Sequence, residues 1–209
     1  MSDAFVDVGS LNERLEVLEL QETEPGVWSW QVVKKLWSDI TLSQKTNLFS
    51  SVGIGARGAE LIVRHPSPDL HHALRRTGSQ PQHLFLTAIV PYNRMYDKVT
   101  SALVTPAKCS ASRIDSSVGV AGRPQIVETM HVTFPAILTE RYWKQLDQKE
   151  THAEYAVRYV LVTPKPIVLQ DGDLVEVHDG DAEGVYYVTA CHMLDAYKNE
   201  YEIDKKGDV

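Results

Sequence analysis

Eight histidines and two cysteines have the widest chemical reach in this chain, because a neutral imidazole can ligate a metal or act as a base near neutral pH and a thiolate can attack or ligate. Their spacing argues against both uses. His71 and His72 are adjacent and so point apart in a strand or helix, and no HxH or HxxxH spacing occurs. Cys109 and Cys191 lie far apart outside any CxxC pair, so neither a zinc site nor a disulfide framework is expected, only reduced, partly buried thiols. Cys191-His192 sets a thiol beside a base, but neighbours in a strand face opposite sides. His83 and His192, beside apolar strands, read as packing residues with one hydrogen bond each.

Asp171, Asp173, Asp179, Asp181 and Glu183 flank Gly172 and Gly180 and could line a calcium loop. They lack the twelve-residue EF-hand pattern, and a solvated hairpin loop is the simpler expectation. Gly53, Gly55 and Gly58 precede a strand, whereas nucleotide-binding glycines lie between a strand and a following helix. No catalytic residue, metal ligand or cofactor is therefore expected, although groups distant in sequence can meet in space. Of the four tryptophans, Trp30 and Trp37 read as core, and Trp28, beside the turn at Gly26, reads equally as core or as an exposed interface anchor.

The elements that must position these residues read as strands. Leu15 to Leu20 alternates apolar and charged residues, though not strictly, and fits a strand better than the short amphipathic helix it would also allow; Glu24-Pro-Gly26 is a turn, and Val27 to Ile40 is rich in aromatic and β-branched residues. Ala59 to Arg64 is a strand stopped by Pro66, Pro68 to Arg76 holds a short helix or an extended loop, and His83 to Val90 and Asp97 to Val104 complete a meander of about five strands. Residues 105–127 are rich in small side chains and read as a linker. The expected architecture is all-β, with two small antiparallel β-barrel or meander domains in tandem. The first is 1–104, residues 105–130 form the linker or extended loop, and the second is 131–209.

A comparison of the halves supports a repeat. Ile62-Val-Arg-His-Pro66 can be set against Val160-Leu-Val-Thr-Pro164, Leu84-Phe-Leu-Thr-Ala88 against Tyr186-Tyr-Val-Thr-Ala190, Tyr96-Asp-Lys98 against Ala196-Tyr-Lys198, and Trp37-Ser-Asp-Ile40 against Phe134-Pro-Ala-Ile137. The offset drifts from about 97 to about 102 positions, as expected of a tandem duplication with lengthened loops.

The net charge of −7 is unevenly placed: residues 1–104 carry 10 basic and 11 acidic side chains, 105–127 three and one, and 128–209 eight and 16. The last third, at −8, would repel nucleic acid, so sequence-reading DNA binding is not expected. No apolar run approaches the roughly 20 residues of a membrane span. The acidic start, Met-Ser-Asp-Ala-Phe-Val-Asp, has no apolar region of a secretory signal, so the chain is expected to stay in the compartment where it is made.

In residues 11–104 the order of features resembles the head-tail joining, or head-closure, proteins of long-tailed phages. The resemblance is carried by Leu11 to Leu20, the turn Glu22-Thr-Glu-Pro-Gly26, the Trp-bearing strand Trp30 to Ile40, a loop through Phe49, Ile62-Val-Arg64, His83 to Ile89, and the turn Asn93-Arg-Met. This chain is about twice the usual length for that family, and Gly78-Ser-Gln-Pro-Gln-His replaces the expected Gly-Arg. The resemblance implies a small β-barrel that assembles as a homo-oligomeric ring, a hexamer or dodecamer, beneath the portal or adaptor protein. Such a ring closes the head, offers a platform to tail proteins, and lets DNA pass without sequence-specific binding. It also implies a virion protein made in the host bacterial cytoplasm, with interface candidates Trp28, Phe49, Arg94, Tyr96 and Tyr197. Two other readings stay open: a two-domain binding module for peptide or carbohydrate, and an enzyme with a dispersed site.

Overall fold

In a computed structural model the chain is described over residues 11–43, 57–78, 82–118, 124–144, 155–178 and 182–206, with Gly9. The elements are β1 (Glu13–Glu24), β2 (Val27–Leu42), β3 (Arg57–Arg64), β4 (Ala73–Arg76), β5 (Gln82–Pro91), β6 (Tyr96–Val104), β7 (Ala107–Val118), β8 (Pro124–Lys144), β9 (Tyr155–Pro164), β10 (Leu174–Val177), β11 (Gly184–His192) and β12 (Lys198–Lys205). The fold is all-β. Two compact units emerge: residues 1–21 with 30–105, and residues 22–29 with 106–209.

In the first unit the strands run β1-β4-β5-β6-β3-β2, and β1 also pairs with β2, which closes the sheet on itself. Closure removes the free edges that would template aggregation. Alternation puts one side chain in two inside, so Leu15, Val17, Leu61, Val63, Leu84 and Val99 form the dry core while Glu16 and Glu60 face out. In the second unit the order is β8-β7-β10-β11-β12-β9, closed by β8 pairing with β9. Its core includes Phe134, Leu161, Val175, Tyr186, Tyr201 and Ile203.

The segment expected to be a linker is the wall of this second barrel. Strand β7 pairs with β8 from Ala107↔Ala136 to Val118↔Pro124. Its small residues are there because a large one faces them: Cys109 lies opposite Phe134, and both are almost fully buried. Low bulk in a single strand reads as loop when the cross-strand partner is not in view. Likewise Pro68 to Arg76 ends in β4, too short to display a period in sequence.

The two strand orders match term by term, β1 to β6 against β7 to β12. Matching registers give residue correspondences. Strand β5 carries a bulge between Leu86 and Ala88, where the Thr87 hydroxyl donates to the Thr100 carbonyl at 3.0 Å; β11 carries one between Val188 and Ala190, where Thr189 donates to Glu202 at 3.1 Å. Both pairs are 102 positions apart, which agrees with the sequence match of Leu84–Ala88 to Tyr186–Ala190.

The other three sequence matches are slipped, two of them by two residues and one by one. Arg64 pairs with Tyr96 as Pro164 pairs with Lys198, so Pro166, not Pro164, stands at the place of Pro66, and Lys198 at the place of Tyr96. A slip of two preserves the inward and outward faces, so apolar pattern alone cannot detect it. The pairs Ile40↔Leu61 and Leu138↔Leu161 put Leu36, not Trp37, at the place of Phe134. That slip of one reverses the faces, and it has the same origin as the reading of Trp37 as core. Trp37 is 56% exposed.

Candidate interaction surfaces

The β5–β6 and β11–β12 hairpins end in the same turn. In the first, the Asn93 side-chain oxygen accepts from the Met95 and Tyr96 amides at 2.9 and 3.0 Å; in the second, Asp195 accepts from Tyr197 and Lys198 at 2.7 and 3.2 Å. A short polar side chain bonded to the backbone two and three residues on fixes the loop. The Lys165 ammonium adds two bonds to the second tip, to the Met193 and Asp195 carbonyls. Each turn leaves large apolar groups in water. Tyr92 and Met95 are 39% and 49% exposed at the first tip, and Leu194 and Tyr197 are 104% and 39% exposed at the equivalent places of the second. Rigid, exposed apolar groups of this kind are the anchors that interfaces use.

Tyr197 and Arg94 are exposed, one on each tip, while Tyr96 is buried at 7% and serves the first core. Trp28 is half-buried in the segment assigned to the second unit. Phe49 lies outside the described residues. Sequence reasoning missed Tyr92, Met95 and Leu194 and misplaced Trp37. For Trp37 the signal was available, because Val33, Lys35, Trp37 and Asp39 share one parity of β2 and two of the four are charged.

The polar groups are held mainly by one another. Asp173, 2% exposed, accepts from Arg113 Nε and Nη2 and from the Gln170 amide, each at 2.7 Å. The Tyr201 hydroxyl donates to the Ile167 carbonyl and accepts from the Leu169 amide, pinning the connection between β9 and β10. His192 turns to Glu202 at 3.2 Å while Cys191 turns to Asp171 at 3.1 Å, so the adjacent thiol and imidazole have separate partners. Contrary to the packing role with one bond, the buried His83 Nδ1 has no hydrogen-bond partner among the described residues; burial, then Arg75, depress its pKa and favour the neutral ring. Asp179 and Asp181 lie outside the described residues. Among the described residues, no group of three or more His, Cys, Asp or Glu side chains could hold a metal ion.

One arrangement has the order of a hydrolytic triad. Ser110 Oγ is 2.9 Å from His178 Nε2, and His178 Nδ1 is 4.0 Å from Glu176, beside an open groove of about 200 Å³ lined also by Glu128 and His131. A triad carboxylate must hold the imidazole by a hydrogen bond in a sheltered place. At 4.0 Å and 57% exposure, Glu176 does not.

Burial and then the hydrogen bond to the Asp171 carboxylate push the Cys191 thiol from its ordinary value near 9 up to about 12. Only the thiolate is alkylated. At pH 8 iodoacetamide is therefore expected to label Cys191 roughly 1,000-fold more slowly than an exposed cysteine, the rate rising tenfold per pH unit up to about pH 12. Asp171→Asn should accelerate labelling. A wild-type rate equal to that of free glutathione at pH 8 would show that the thiol is not so held. No protein-family model, curated protein or solved structure matches the chain.

Proposed function

We propose that this chain is a structural subunit of a tailed-phage or prophage neck, forming part of the connector that joins portal to tail and closes the DNA-filled head. The observation that carries the reading is the pair of barrels with one strand order, each ending in the same turn with two large apolar side chains exposed at equivalent places. We read them as a tandem duplication. A ring subunit needs lateral contacts and an end-on platform rather than a deep pocket. Six such subunits would offer about twelve similar surfaces, the number needed to match a twelvefold portal to a sixfold tail.

The −8 balance of residues 128–209 suits a channel through which DNA slides without sticking. The subunit requires no cofactor, is made in the host bacterial cytoplasm and ends in the virion. The groove beside Ser110 is the observation behind the second reading, a module for peptide or carbohydrate. Its volume of about 200 Å³ is below the roughly 300 Å³ at which small-molecule sites begin.

The test is to mix purified protein with portal and tail proteins and to follow the mixture by native mass spectrometry. Complexes holding portal and this chain together, lost when Tyr92, Met95, Leu194 and Tyr197 are all changed to serine, are expected. A chain that ignores both proteins but binds an oligosaccharide or peptide at micromolar concentration would transfer the assignment to the binding module.

A further inference from the structure

The matching registers pair residues on the outer faces of the two barrels as well as in their cores. Ser110 stands at the place of Glu16, Glu176 at that of Arg75, Val185 at that of His83 and Thr133 at that of Lys35. Their strand neighbours Val17, Leu74, Ala111 and Val175 are buried, so these residues share the outer face.

In the first barrel that face is filled by the chain's own ions. The Glu16 carboxylate accepts from Arg75 Nε and Nη2 at 2.9 and 2.6 Å and lies 3.1 Å from the Lys35 ammonium, which leaves its side chain 12% exposed. In the second barrel a carboxylate stands where the guanidinium stood, and two short hydroxyl side chains replace Glu16 and Lys35. The volume that the longer side chains take up in the first barrel is open in the second, as the groove of about 200 Å³ beside Ser110.

Glu176, Glu128 and His131 line this groove with Ser110 and Ser112, and none of the described residues that line it is a lysine or an arginine. Arg113 on β7 is held by Asp173, and Lys108, two residues from Ser110, does not line it. Glu128 has His131 at 3.3 Å, but the nearest partner of Glu176 is His178 at 4.0 Å, beyond hydrogen-bond reach. Glu176 therefore offers a free carboxylate at the place where the first barrel holds a guanidinium.

Leu174 and Val185 line the same groove, and Tyr187, 40% exposed, stands beside Leu174 in register. A free cation gains nothing from an apolar wall, whereas the residues flanking an arginine in a protein chain can bury against it. The planar guanidinium also matches a carboxylate with two bonds and stacks on an aromatic ring, which an ammonium does not do as well. A groove of about 200 Å³ suits one long side chain rather than a drug-sized ligand.

We propose that the groove on β7, β8, β10 and β11 is a docking site for an arginine side chain presented by a partner protein, its guanidinium bonding Glu176 and the Ser110 hydroxyl much as Arg75 bonds Glu16 in the first barrel. The inference concerns this one face and does not rest on the connector reading.

The experiment follows the amide NMR spectrum of the full chain as the peptide acetyl-Leu-Arg-Leu-amide is added to about 10 mM, enough to fill a site with a Kd near about 1 mM. The amides of Ser110, Ser112, Glu176 and Val185 are expected to shift. The same peptide with citrulline in place of arginine, which keeps the shape and loses the charge, should leave them where they are. Glu176→Gln should weaken binding about three- to tenfold, as loss of a partly exposed charged hydrogen bond does. Ser110→Glu combined with Glu176→Arg rebuilds the first barrel's ion pair inside the groove and should abolish binding while the rest of the spectrum is kept. Groove amides that do not move, equal shifts with the citrulline peptide, Glu176→Gln or the rebuilt protein binding like wild type, free arginine binding as tightly as the peptide, or methyl glucoside moving these amides in place of the peptide would each overturn the proposal. None of these outcomes touches the connector reading, which fails instead if portal and tail proteins form no complex with the chain.

Discussion

Asp173→Ala is expected to destabilise the protein by about 3 kcal/mol, read as a lowered urea midpoint of the transition that reports on Tyr186 and Tyr201. The carboxylate holds the Arg113 guanidinium through two bonds and the Gln170 amide through a third, all at 2.7 Å. Its removal leaves a largely buried cation and a main-chain donor with nothing to accept from them. Breaking such a pair costs roughly 3–5 kcal/mol when both partners are enclosed, and the lower figure applies because the Arg113 side chain keeps 25% exposure. Asp173→Asn retains an acceptor for Gln170 and should lose about half as much. An Asp173→Ala midpoint equal to that of wild type would mean that water already serves Arg113.

Leu61→Ala and Leu161→Ala are expected to cost about 3 kcal/mol each. The two leucines stand at matching places in β3 and β9, opposite Ile40 and Leu138, and neither is exposed at all. Truncation leaves a cavity in a barrel whose closed strands cannot slide to fill it. Hydrogen exchange locates the effect: Leu61→Ala should lower protection of amides in β5 and β6 by about 100-fold, and Leu161→Ala should do so in β11 and β12. A loss below about 1 kcal/mol at either site would argue that the barrel relaxes around the gap, and with it that the core is less tightly determined than the burial implies.

The strands themselves were legible where β-branched runs bounded by turn residues are written locally, as in Ala59 to Arg64, and less so in Leu15 to Leu20, where Val17 and Leu18 are both buried and break the alternation. The closing of the barrels was not. Cys109 and Ala111 look like loop residues until Phe134 is seen opposite them, and β4 contributes only two buried side chains, Ala73 and Leu74. Of the repeat, the Thr-Ala pair at each bulge was readable in register because the bulge fixes both residues. The Pro-stopped strands slipped by two because nothing in an apolar run marks its absolute position. At the surface, Tyr197 and Arg94 could be named from their turns, whereas Tyr96 begins β6 and follows that strand's inward parity. Leu194 gave no signal, since an isolated leucine in a turn looks like a packing residue. Trp37 reads as core by residue type, whereas its parity with Lys35 and Asp39 along β2 puts it outside, where it is 56% exposed.

The measurement that bears most directly on the account is the mass of the purified protein by light scattering over a concentration series, with electron micrographs of the same fractions. The account predicts closed rings of uniform subunit number, six if the two barrels of each chain answer a twelvefold portal. A strict monomer at every concentration, still monomeric beside portal and tail proteins, would contradict it.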